Sequence, residues 1–121
     1  MYYTENTTVF HNGEFMKIGT VRIDPISQSF HYGNGVFDGM RAYETEEGPR
    51  IFKAREHFER LIFTASRMRM GIQFSWEALK DAAYQLLEQN DLKDAYIRPL
   101  VYASPNMSLV PTGESNILMM A

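Results

Sequence analysis

Two amphipathic stretches lie side by side in the middle of the chain, and each offers a single apolar face. Whatever fold forms must give both of them a surface to lie on. In "HFERLIFTASRMRM" Phe58, Leu61, Ile62, Ala65 and Met68 recur at helical spacing, and Gly71 stands where such a helix ends. In the next stretch Leu79, Ala82, Ala83, Leu86 and Leu87 form one stripe, with Ser75 in front as an N-cap and Asn90 near the end. Extended segments flank this pair. "TVFHNGEFMKIG" reads as a hairpin, because Asn12-Gly13 is the dipeptide that accepts positive φ at both turn positions. Val36 to Thr45 is a second extended run, and "EEGPRIF" is a polar turn into a short partner strand. "AYIRPLVYA" and "NILMMA" return to strand character after the helices. Strands, two one-sided helices and strands again predict an α+β fold, a small antiparallel sheet with the two helices on one face.

At 121 residues and 45% apolar, the chain is long enough for one domain that buries roughly two thirds of its unfolded surface. The net charge of -3 comes with no basic stripe, so nucleic acid is not an expected partner. The absence of cysteine excludes disulfides, thiolate zinc sites and thiol nucleophiles, and suits a reducing compartment. "MYYTENTTVF" lacks the features of a secretory signal, and no apolar run nears the ~20 residues that span a bilayer, so neither membrane nor export is expected. We expect a cytoplasmic protein. His11, His31 and His57 have no ligand spacing and are read as structural or surface residues.

The stretch "SFHYGNGVFDGMRAYET" carries most of the functional signal. Side chains alternate along a strand, so Phe37, Gly39, Arg41 and Tyr43 point to one face while Val36, Asp38, Met40 and Ala42 point to the other. Glycine at 39 leaves room for close approach to the backbone, or marks a bulge. In "AYIRPLVY", Tyr96, Arg98, Leu100 and Tyr102 share a face, and Pro99 implies an edge or an irregular position. A guanidinium beside a phenol is a good carboxylate receptor, since the fork takes two oxygens and the hydroxyl adds a third bond. An arginine lying over a ring without further role is the plainer alternative.

"FHYGNGVFDGMRAY", "REHFERL" and "AYIRPLVY" resemble, in order and interval, the signatures of the branched-chain amino-acid aminotransferases, fold-type IV enzymes that use pyridoxal 5'-phosphate. The similarity runs from about Val9 to the end and covers only the small amino-terminal domain of that family. It implies a transamination of branched-chain amino acids with 2-oxoglutarate or glutamate, performed by a homodimer. By the resemblance, Arg60 takes the position that binds the cofactor phosphate. Periodicity alone does not select it, since Arg60 lies roughly 140° from the centre of the apolar stripe of its helix. Phe37 and Tyr96 match walls of the substrate pocket, and Arg98 matches the receptor of the distal carboxylate. Tyr32 matches a pocket tyrosine contributed across the dimer interface, Leu109 falls on a loop that closes the partner's pocket, and Arg41 has a supporting place.

The lysine on which such chemistry depends is not expected among Lys17, Lys53, Lys80 and Lys93, since none sits in an apolar setting that would favour a neutral amine. The resemblance places it beyond residue 121, so this chain is expected to be inactive alone. The apolar "NILMMA" at the carboxyl end, an exposed pairing edge on this reading, and the loop-like "SPNMSLVPTGES" before it point to a chain cut short of a larger body, with residues 104–115 resembling the start of an interdomain linker. Two relatives of the same fold remain open, D-amino-acid aminotransferases and aminodeoxychorismate lyases. A non-catalytic domain that binds an anion or pairs with itself is the alternative from another class.

Overall fold

The computed structural model describes residues 3–121. Strands β1 (Thr8–His11), β2 (Glu14–Lys17), β3 (Gly35–Phe37), β4 (Met40–Thr45), β5 (Gly48–Ile51), β6 (Ala95–Ala103) and β7 (Ser115–Met120) form one antiparallel sheet in the order β2-β1-β7-β6-β4-β5, with β3 also paired to β6. The hairpin turns at Asn12 and Gly13, whose φ values of 51° and 96° are the ones such a turn requires.

Helices α2 (Ala54–Arg67) and α3 (Trp76–Gln89) pack on one face of the sheet, following the short helix α1 (Gln28–Tyr32). Phe58, Leu61 and Ala65 of α2 and Leu79, Ala82, Ala83, Leu86 and Leu87 of α3 are buried against Met40, Ala42, Ile97, Val101, Ile117 and Met119. Truncating one of the fully buried leucines would cost about 2–5 kcal/mol. Met68 departs from its expected place in the stripe. It is the C-cap of α2 and is exposed, and the chain turns at Arg69 so that Met70 enters the core instead. α3 starts as its sequence predicts, with Ser75 Oγ accepting the Ala78 N–H at 3.1 Å. At its other end the Asn90 side chain pairs with the backbone of Thr8 in both directions at 2.8 Å, tying helix to strand.

Further features depart from the sequence reading. The first is α1, which the composition of "SFHYGNG" did not announce. Its five residues have no apolar period; they are fixed from outside by Ser27 Oγ donating to the Ala103 carbonyl (2.8 Å) and Gln28 Nε2 donating to the Ser108 carbonyl (2.7 Å). Gly33 ends it with φ of 69°. The second is β7, which is no free edge. It lies between β6 and β1 in the sheet interior, while β2, β5 and β3 are each paired on one side only. Residues 104–114 join β6 to β7 and lie beside α1, with Asn106 N–H bonded to the Ile26 carbonyl at 3.1 Å.

The break in the second extended run matters most for function. β3 and β4 share one edge of β6, but Phe37 pairs with Leu100 and Met40 with Ile97, so Asp38 and Gly39 stand opposite Arg98 and Pro99 where the ladder is interrupted. Proline has no N–H to donate there, while its carbonyl receives the Asp38 N–H at 3.1 Å. β6 is interior, so Pro99 marks an irregular position rather than an edge. The outer face of the sheet is covered only in part, where Val9, Tyr102 and Leu118 pack with Met16, Ile18, Val21 and Met120. Over the first half of β6 it lies open.

Candidate functional site

On that open face the sequence alternation holds. Phe37, Tyr96 and Arg98 come together: the Arg98 guanidinium carbon lies 4.4 Å from the Phe37 ring centroid and 5.4 Å from that of Tyr96. Its Nε and Nη2 donate to the Tyr96 hydroxyl at 3.3 and 3.2 Å. No carboxylate among the described residues pairs with it. Arg98 is therefore an exposed cation held by rings and a phenol, with hydrogen-bond capacity left for an incoming anion. Gly39 is required for this arrangement, because a Cβ there would stand 2.8 Å from Tyr96 Cε2 and closer still to its hydroxyl. Arg41 pairs with Tyr96 across the strands and leans over Tyr43, its guanidinium carbon 5.9 Å from that ring.

Phe37 also borders an open hollow with Phe30, Leu100 and Tyr102 whose lining is largely apolar. The hollow is backed by Tyr102, whose hydroxyl lies 2.6 Å from His11 Nε2 and whose burial pushes its pKa up. Apolar surface beside a cation is what a site needs if it must take both an aliphatic and an acidic side chain.

One residue further along the strand the opposite face holds a second arginine. The Asp38 side chain, only 4% exposed, turns toward α2 and receives Arg60 as a fork, Nε to Oδ2 and Nη2 to Oδ1, both at 2.7 Å. His57 Nδ1 lies 3.0 Å from Oδ1 and donates to it, since a carboxylate only accepts, and the Gly39 N–H adds a bond of 2.7 Å. Burial pushes the Asp38 pKa up, but these donors and the Arg60 charge outweigh it, so the carboxyl stays below its ordinary value. The same contacts raise the pKa of Arg60. Its Nε and Nη2 face Asp38, and Nη2 also lies 3.3 Å from His57 Nδ1, so Nη1 is the part of the guanidinium without a partner among the described residues, on a side chain that is 64% exposed. That edge has the geometry to receive a phosphate or carboxylate.

Tyr32 and Leu109 are not part of either cluster. Both border a shallow cavity with Gln28, Asn34 and Arg67, and the Tyr32 hydroxyl donates to the Met107 carbonyl at 3.0 Å. Asp38 and His57 had no assigned role in the sequence reading. The available signal was an acid on the strand face that otherwise carries Val36, Met40 and Ala42, which requires a partner once the face is buried.

A two-layer domain with an exposed arginine anchored on each side of the β3–β4 break defines the class, an α+β domain of a small antiparallel sheet and helices. Residues 35–121 match the family Amino-transferase class IV, and the chain belongs to that family. It is 36% identical over 106 residues to the branched-chain-amino-acid aminotransferase of Pseudomonas aeruginosa, covering 87% of this chain and 34% of that protein. Among solved structures, the Escherichia coli branched-chain amino acid aminotransferase superposes with a TM-score of 0.89 at 30% identity, over 95% of this chain and 39% of that one. The branched-chain aminotransferase of the thermophilic archaeon Thermoproteus uzoniensis, solved with norvaline, gives 0.87 at 32% identity, over 93% and 39%. The chain thus spans 34% to 39% of the length of these relatives.

Proposed function

We propose that this chain is the small domain of a pyridoxal 5'-phosphate-dependent aminotransferase that exchanges amino groups between branched-chain amino acids and 2-oxoglutarate or glutamate. Its remaining domain, with the cofactor lysine, would follow residue 121, and the working enzyme would be a cytoplasmic homodimer. The observation that carries this reading is the pair of arginines held on opposite faces by the consecutive residues Phe37 and Asp38. It is supported by the similarity to enzymes of that name along most of the chain.

When bound, the cofactor supplies the electron sink for breaking bonds at the amino-acid α-carbon. The residues of this chain bind and orient. Arg60, steadied by Asp38, would hold the phosphate group by its outward edge. Phe37 and the apolar hollow beside it would take an aliphatic side chain, and Tyr96 with Arg98 would receive the second carboxylate of glutamate. Arg98 suits a role that alternates between two substrates, because no acid among the described residues competes for it. Tyr32 and Leu109, away from these groups, would serve the site of a partner subunit.

The test is activity of the full-length protein with a panel of amino donors in the presence of 2-oxoglutarate. L-leucine, L-isoleucine and L-valine are expected to be the best donors, and the 121-residue chain by itself is expected to be inactive. Preference for D-alanine, or cleavage of aminodeoxychorismate without amino transfer to 2-oxoglutarate, would overturn the assignment in favour of a relative of the same fold. Absence of any cofactor-dependent reaction would favour a non-catalytic domain.

A further inference from the structure

We propose that Asp38 is a positioning residue that makes the cofactor site selective for a phosphate ester, by fixing which edge of Arg60 faces outward. This rests on the reading of Arg60 as the phosphate anchor, and assigns the origin of its selectivity to a group that does not itself touch the ligand.

An exposed arginine on a helix surface samples many rotamers, and an anion that binds it must order them. Arg60 is exposed yet does not have that freedom. Both oxygens of a buried carboxylate grip it at 2.7 Å, and that carboxylate is itself held by His57 and by the N–H of Gly39. The side of the guanidinium that carries Nη1 is thereby left outward before any ligand arrives. The arrangement lowers the net positive charge near the site, since Asp38 offsets Arg60, so it is a poor design for maximal anion attraction and a good one for orientation. A bare cation attracts any anion, whereas an oriented fork favours one of matching shape.

The ladder break explains why an acid can stand here. Asp38 lies opposite Pro99, in the two-residue interruption between β3 and β4, and its backbone N–H is already taken by the Pro99 carbonyl. No ladder bond is sacrificed to aim its side chain at α2. His57 and Arg60, one helical turn apart on α2, both reach the same carboxylate.

The experiment uses the full-length aminotransferase and two probes that differ only in the phosphate, pyridoxamine 5'-phosphate and pyridoxamine, neither of which needs the cofactor lysine to bind. The ratio of their dissociation constants measures phosphate selectivity. Asp38→Asn is expected to cut that ratio roughly tenfold, the order of effect seen when a partner that orients a ligand-binding group is lost, with pyridoxamine affinity unchanged. Arg60→Ala is expected to cut it further, and Asp38→Asn added to Arg60→Ala to change it no more, because the acid acts only through the arginine. An unchanged ratio in Asp38→Asn beside a collapsed one in Arg60→Ala would overturn the role of Asp38 and leave the phosphate reading of Arg60 standing. An unchanged ratio in Arg60→Ala would overturn both. Equal losses for the two probes would make Asp38 a structural residue only. Should Asp38→Asn not fold, Asp38→Glu keeps the charge and displaces the fork by one methylene; the same selective loss is expected of it. A ratio equal to the wild type in Asp38→Glu, or failure of both variants to fold, overturns the proposal.

Discussion

Arg60 and Arg98 are both exposed cations beside the same short strand, and their surroundings differ in kind. Arg60 is gripped by a buried carboxylate through two bonds of 2.7 Å. Arg98 lies 4.4 Å from the centre of the Phe37 ring and shares longer bonds, 3.2 and 3.3 Å, with one phenol. A carboxylate fork fixes both position and plane, whereas a ring face resists displacement only weakly. Under the proposed function, the tight anchor would serve a ligand that stays and the loose one a ligand exchanged at every half-reaction. The difference also makes the two arginines separable by experiment.

The largest contrast should come from the two consecutive anchors. Asp38→Ala leaves the Gly39 N–H and the inner edge of Arg60 without a partner, and is expected to destabilise the chain by about 2 kcal/mol. Water can still reach the exposed Arg60 guanidinium, which keeps this cost below that of breaking a fully buried pair. Phe37→Ala, at a ring that is 59% exposed, should cost below about 1 kcal/mol. Chemical denaturation of both variants measures the difference, and equal costs would erase the distinction between a rigid and a loose anchor.

Acid sharpens the same comparison. The native pKa of Asp38 lies below its unfolded value, so its contribution is fully present above the ordinary aspartate range near 3.9 and is lost as pH falls from there through the lower native value. Stability of the wild-type chain should fall more steeply below about pH 4 than that of Asp38→Asn. Arg98→Ala should retain the wild-type slope. Identical slopes in wild type and Asp38→Asn would show that the carboxylate is not held as its contacts indicate.

Gly39→Ala is a smaller perturbation aimed at the other side. The new methyl group would force the Tyr96 ring aside, which the partly exposed ring can allow for about 1 kcal/mol, so the chain should remain folded. In the full-length protein it should lower glutamate turnover, as Arg98→Ala is expected to under the proposed function, since Arg98 loses its phenol partner. The smallest effect expected is on stability in Arg98→Ala, about 0.5–1 kcal/mol by denaturation, in line with an exposed cation over rings.

Much of this architecture follows from the periods of the chain. The stripe from Phe58 to Ala65 became one packed face of α2, Ser75 started α3 where a hydroxyl cap is useful, and alternation alone put Phe37 on a face with Gly39 and Tyr96 on a face with Arg98, which strand pairing then joined on the open side of the sheet. What stayed hidden depends on contacts distant in sequence. α1 is held by bonds from Ser27 and Gln28 to Ala103 and Ser108, far along the chain, and β7 takes its interior place through pairing with the amino-terminal strand. Arg60 entered only through resemblance to a family. Asp38 shows the limit most clearly: its side of the strand was legible, but alternation says nothing of the fork that waits there on α2.

Under the proposed function the two arginines would divide the labour, Arg60 for the cofactor and Arg98 for the acidic substrate. Single-turnover rates of the two half-reactions in full-length Arg98→Ala test that division most directly, with the cofactor saturating. The loss of a charged hydrogen bond is worth roughly 1.5–3 kcal/mol, so the reaction with glutamate should slow by about tenfold to a hundredfold while that with leucine changes little. Equal slowing of both half-reactions would contradict the account and leave Arg98 as an arginine lying over a ring.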